Sequence, residues 1–154
     1  MDAALIFDAS KGCWDIALNG PDLAATDTLE TAVITSLFSD ARAHSDDVIP
    51  DGTGNPRGWW ADKQAPLLRP QSIGTDRTGS RLWLIRREKQ IPATLARLKD
   101  YVAEALAWMV EDKLVSAIEV QASFPRRDWA AFSVTLTRPD GGIERYGYDL
   151  RWGV

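Results

Sequence analysis

Residues 92–112 read PATLARLKDYVAEALAWMVED, and the fold turns on this stretch. Pro92 sits where a helix can begin, because the first turn has no use for its missing N–H. Leu95, Leu98, Val102, Ala105 and Met109 recur at spacings of three and four, while Arg97, Asp100, Glu104 and Glu111 fall mostly elsewhere. That period predicts an amphipathic helix with one face to bury. The sequence after it offers a surface for that face. Residues 115–122 read as a strand, and Phe132, Val134 and Leu136 then alternate with Ser133, Thr135 and Thr137 in the two-residue period of a strand. Pro139-Asp140-Gly141-Gly142 supplies a turn, and the chain returns with Tyr146, Tyr148, Leu150 and Trp152 on one face of a second hairpin strand.

Upstream, the periodicity lapses. Residues 41–79 carry Pro50, Pro56, Pro66 and Pro70 among Gly52, Gly54, Gly58, Gly74 and Gly79, which predicts a long loop. A loop of that length in a domain is usually a binding segment or one that orders on assembly. Before it, Asp27 three residues ahead of Glu30 forms a capping box, opening a helix to about residue 39 with Leu29, Val33, Ser36 and Leu37 on its inner face. Residues 3–7 and 14–18 are short apolar runs joined by a turn, and Asn19-Gly20-Pro21-Asp22 breaks the chain after them. The element order predicts α+β: two main helices on a largely antiparallel sheet that ends in a C-terminal β-hairpin, with the Gly/Pro-rich loop between the helices. With 154 residues, one domain spanning 1–154 is expected.

Composition narrows the function. Hydrophobic residues make up 45% and charged residues 26%, a globular balance, and the net charge of -4 gives no general attraction to nucleic acid. Cys13 is the single cysteine, so no internal disulfide is expected and a reducing compartment is acceptable. No basic leader precedes the first apolar run, and residues 105–110, the longest uncharged apolar stretch, fall far short of the roughly 20 needed to span a bilayer. No membrane role is expected, and synthesis in the cytoplasm is.

No reactive constellation stands out. His44 with Asp46 and Asp47 lacks the spacing and further ligands of a metal site. His44 and Cys13, the only residues of their types, lie in no nucleophile motif, and the glycine pairs are followed by no Gly-Lys-Ser/Thr. Arg86-Arg87-Glu88-Lys89 and Arg126-Arg127 read as solvated basic faces. Glu104 and Glu111 are the best paired carboxylates for an alternative reading as a small peptidoglycan hydrolase. Of the seven tryptophans, Trp83, Trp108 and Trp129 lie in apolar patterns that suit a core, whereas Trp59-Trp60 sit inside the long loop, where they either tuck it down or anchor a partner.

Several segments together resemble the small baseplate wedge protein of Mu-like contractile-tailed phages, the phage gene product 46 family: residues 29–33 and 37–40, Gly58-Trp59-Trp60-Ala61-Asp62, Gly79-Ser80-Arg81-Leu82-Trp83-Leu84, the alanine-rich run ending at Trp108, and Arg138-Pro139-Asp140-Gly141. Their layout is similar, more distantly, to T4-type wedge and sheath-initiator subunits, some of which carry an old lysozyme label. The resemblance implies a structural, non-enzymatic subunit without cofactor. Its partners would be large wedge subunits, tail hub and sheath proteins, in six copies per baseplate, located in the virion tail after assembly in the host cytoplasm. A phage-derived injection system would share these features. Where the wider family closes its long helix with Glu-Pro-Arg for docking onto wedge partners, this chain has Glu111-Asp112-Lys113, without the proline turn or the arginine fork. The partner-binding residues expected are therefore Trp59 and Trp60 of the loop, Glu111, Asp112 and Lys113 at the helix end, and Tyr146, Tyr148 and Trp152 on the last strand, which could pair with a sheath subunit.

Overall fold

The computed structural model describes residues 2–8, 10–59 and 78–153. The chain gathers into two compact units, Met1–Thr35 and Ser36–Val154, where the sequence reads as one domain.

The first unit is built from three two-stranded antiparallel ribbons. β1 (Asp2–Ala3) pairs with β6 (Ala25–Thr26), β2 (Leu5–Asp8) with β3 (Cys13–Ile16), and β4 (Leu18–Asn19) with β5 (Asp22–Leu23). They meet at three alanines. The N–H of Ala4 donates to Ala24 O at 2.8 Å, that of Ala24 to Ala17 O at 2.9 Å, and that of Ala17 to Ala4 O at 2.8 Å. This ring of hydrogen bonds among three segments interrupts both apolar runs expected as continuous strands. Asn19 to Asp22, expected to break the chain, instead makes a two-residue hairpin turn with Gly20 at φ 65°.

The second unit carries the antiparallel sheet β7-β8-β9, formed by Ala117–Arg126, Trp129–Thr137 and Ile143–Arg151. The first hairpin is longer than expected because Arg127 and Asp128 make a tight turn, with Asp128 at φ 61° and Arg126 opposite Trp129. On β8 the alternation is complete: Ala130, Phe132, Val134 and Leu136 are buried, and each faces β9 in register at Leu150, Tyr148, Tyr146 and Glu144. Helix α3 (Pro92–Glu111) packs on β7, and the short helix α2 (Leu82–Ile85) packs on α3. Leu98, Val102, Leu106 and Met109 on α3 are fully buried, each worth about 1.5–3 kcal/mol relative to exposure. Leu106 joins the buried face, whereas Leu95, in the first turn of the helix, is only half-buried. Helix α1 (Glu30–Phe38) starts at Glu30, two residues later than a capping box on Asp27 would open it, and the Val33 N–H bonds to Leu29 O in its first turn. The molecule is therefore α+β with a C-terminal antiparallel sheet, as expected. No helix among the described residues is long and apolar enough to cross a membrane.

Candidate functional site

The strongest polar cluster of the second unit is centred on Arg81. Its side chain is 14% exposed and reaches both oxygens of Asp47 from Nη1 at 3.0 Å, while Nε and Nη2 bind the Glu104 carboxylate at 3.1 and 2.5 Å. The guanidinium also lies 4.5 Å from the Tyr101 ring centre. Burial opposes the charge on Arg81, but the Glu104 and Asp47 carboxylates outweigh it and hold the proton more firmly than usual. Asp47 likewise ionises below the ordinary carboxylate range: burial works against its charge, and the His44 backbone N–H and Arg81 overcome it. The cluster joins loop, short helix and long helix. Asp47 accepts from Arg81 and from the His44 backbone N–H. Glu104 has both oxygens on a guanidinium and is poorly placed to donate a proton, and Glu111 lies seven residues further on, about 10 Å along the helix at 1.5 Å per residue.

The described part of the long loop, residues 41–59, is tied to its unit. Ala41 and Ala43 are buried, the Ala41 N–H donates to Ser80 O, the Ala43 N–H donates to Pro56 O, and the Trp83 indole donates to Ala41 O at 2.9 Å. Arg57 bridges Asp40 at 2.7 Å and Asp51 at 3.5 Å while covering the Trp83 ring. The expectation of ordering on assembly therefore does not extend to these residues, and its remainder concerns residues 60–77, outside the described residues. Gly58 and Gly79, which flank it in sequence, both closely approach residues 39–42. A Cβ on Gly58 would meet the Arg42 Cβ at 2.7 Å, and one on Gly79 would meet the Ser39 carbonyl oxygen at 2.4 Å. Trp59, at the first of these feet, is half-exposed, and Trp60 lies outside the described residues.

Glu111, Asp112 and Lys113 all lie exposed at the end of α3. The turn does not need the family proline. The Leu114 N–H bonds back to Met109 O at 2.9 Å and the Lys113 N–H to Val110 O at 3.0 Å, a Schellman stop with Lys113 in the left-handed region at φ 61°. Glycine is the natural residue at that position. Lys113→Gly should therefore stabilise the protein by about 0.5–1 kcal/mol, read as a higher urea midpoint with unchanged slope.

The last strand corrects one expectation. Trp152 is 3% exposed, its indole N–H donates to Glu88 O at 2.7 Å, and its ring meets Phe124 edge-on. It packs within its own unit just after β9, so it is a buried side chain and not the exposed one expected. Tyr148 packs between Phe38 and Phe132, and the Tyr146 hydroxyl donates to Glu144, so both are half-buried on the same face. Among the described strands β9 pairs with β8 and lies at the edge of the sheet. Of the tryptophans expected in the core, Trp83 is buried, Trp129 is half-buried, and Trp108 is 37% exposed with its indole N–H on Ser36 Oγ at 3.1 Å.

Comparison with known proteins places this arrangement. Residues 29–143 match the family described as Phage protein GP46. The chain is 42% identical over 147 residues to "Baseplate protein gp46" of Escherichia phage Mu, covering 96% of this chain and 94% of the relative. It is 30% identical over 153 residues to "Mu-like prophage FluMu protein gp46" of Haemophilus influenzae, covering 99% and 98%.

Proposed function

The chain belongs to the GP46 family of phage proteins, and from that premise we propose that it is a structural subunit of a contractile-tail baseplate, acting by binding neighbouring proteins rather than by catalysis. The observation that carries the reading is its near full-length similarity to a baseplate protein of phage Mu. Supporting it, Glu104 is bonded to Arg81, and the described residues include an edge strand, β9, the half-exposed Trp59 and the exposed end of α3. The large wedge subunit is the partner we assign to Trp59 and to residues 111–113, and the sheath subunit the partner we assign to the edge of β9. By family resemblance six copies would surround the tail hub. Co-expression with the large wedge protein, followed by mass measurement by light scattering, should give a complex of defined composition. The chain eluting alone under assembly conditions would count against the proposal.

The sheath contact has its own test. Successive residues of an antiparallel strand point their backbone groups to opposite sides. Of the two substitutions Arg145→Pro and Tyr146→Pro, one removes an amide that faces β8 and should destabilise the sheet. The other removes an outward amide and should leave the domain folded while abolishing sheath initiation. Full sheath assembly with the folded variant would refute strand addition at this edge.

A further inference from the structure

Gly147 sits in the middle of β9, and nothing among the described residues calls for a glycine there. Its backbone lies outside the left-handed region, so conformation does not require it, and beyond its neighbours in the chain no described atom comes within 4 Å of where its Cβ would stand, so packing does not require it either. A glycine inside a strand weakens the strand, and such a residue often marks a place where a ligand or another chain comes close. The register shows what it opens. Gln121, Ser133 and Gly147 form one row across β7, β8 and β9, and Ser123, Ala131 and Asp149 form the next, on the face opposite the buried Phe132 and Val134. These two rows line an open concavity of about 430 Å³ on that face.

The concavity reaches the edge of the sheet, since Gly147 and Asp149 belong to β9. Arg145 stands two residues before Gly147 and Asp149 two residues after it, both exposed on the same face. A strand laid along β9 would set one residue opposite each of these three, with Cβ atoms about 4.5–5.5 Å apart. Opposite Gly147 a large flat side chain has room to lie across Ser133 toward Gln121, and an aromatic ring set over an edge glycine stabilises such pairs. Opposite Arg145 and Asp149 the favoured residues are an acid and a base.

We propose that Gly147 is the receiving position for the strand that adds to β9, and that this strand carries, at alternate residues, an acidic, an aromatic and a basic side chain facing Arg145, Gly147 and Asp149 in that order. The ring fills the concavity, and the two charges fix the register. A slip of one residue sends all three side chains to the other face, and a slip of two sets a charged side chain opposite Gly147 in place of the ring. This recognition rests on the assignment of the β9 edge to the sheath subunit, and it adds the chemistry by which that subunit's strand is selected.

Gly147→Phe supplies the ring from within and tests the proposal on the full-length chain. The variant should fold, with a urea midpoint at or above that of the wild type, because phenylalanine suits a strand better than glycine. Baseplates assembled with it should bind about tenfold less purified sheath subunit, read by co-sedimentation, because the incoming ring meets one already in place. Ala117→Phe puts the same ring on the same face at the start of β7, outside the concavity, and should bind as the wild type does. Arg145→Glu should lower binding in about 50 mM salt and less so in about 500 mM; undiminished binding at the lower salt overturns the charge assignment. Sheath binding by Gly147→Phe equal to the wild type overturns the proposal, and strand addition itself then stands if the folded proline variant at the β9 edge still blocks sheath. Sheath binding by that proline variant removes both. If Gly147→Phe fails to fold, Ser133→Phe fills the concavity from β8 and decides the case.

Discussion

Gly79→Ala should leave a folded but strongly destabilised protein. The residue stands at φ +101°, a conformation that side chains resist, and its Cβ would lie 2.4 Å from the Ser39 carbonyl oxygen and 2.8 Å from its carbon. Neither atom belongs to a flexible side chain. Ser39 O accepts the Ser80 N–H, Ser80 O accepts the Ala41 N–H, and the Ser80 hydroxyl donates to Leu37 O at 2.6 Å, so relief of the clash means breaking the parallel bridge that holds the loop to the core. Backbone strain of about 1–3 kcal/mol plus the loss of these bonds puts the expected cost at about 3–4 kcal/mol. Gly141→Ala is the control: its φ is also positive, at 88°, but nothing lies within 4 Å of its Cβ, and the cost there should be near 1 kcal/mol. Urea denaturation of the three proteins compares the two sites, and equal losses would show that the close approach at Ser39 carries no weight.

Arg81→Met should cost about 2–3 kcal/mol at neutral pH, and that cost should shrink on acidification. Removing the guanidinium leaves Asp47, whose side chain is 12% exposed, as an uncompensated charge; Glu104 is 46% exposed and recovers much of its hydration, which keeps the figure below that of a fully buried pair. The sign follows from linkage. In the wild type Asp47 has a folded pKa below its unfolded value, so it contributes stability that is complete above about pH 4 and is lost as pH falls through the folded pKa. In the variant, burial is left opposed by His44 alone, so the folded pKa rises relative to the wild type, and protonation at low pH then relieves the penalty. Unfolding free energies measured at pH 7 and pH 3.5 should converge. A difference that stays constant across that range would mean that lost packing on Tyr101, and not charge, explains the cost.

The two variants bear on function differently. Gly79→Ala reports on how the base of the loop that carries Trp59 is fixed, whereas Arg81→Met loosens the joint between the loop and α3. A baseplate that tolerates the second at neutral pH would place the docking surfaces away from that joint.

Much of the architecture was legible in the residues. Helix α3, the alternation of β8 and the turn at Pro139 to Gly142 follow from periods of 3.6 and 2 and from turn chemistry, all of which act between residues close in sequence. The family likeness was legible too, carried by Gly58-Trp59 and the run from Gly79 to Leu84. The site was less so. Trp152 carries the same signal as an exposed aromatic at a strand end, and only the approach of Glu88, 64 residues away in sequence, makes it a core residue. Lys113 gave no sign of a left-handed turn, since that is set by Leu114 reaching back to Met109 once the helix has a body to end against.

The sequence by itself therefore determined the long helix, the strands of the C-terminal sheet, the α+β class and the absence of any recognisable nucleophile motif, because propensity, periodicity and residue chemistry are local. Tertiary structure alone decided which charges meet. Asp47, Arg81 and Glu104 become one network through contacts across 23 to 34 residues of chain. Charge interactions depend on distance in space, and chain order does not specify that distance until packing has fixed it.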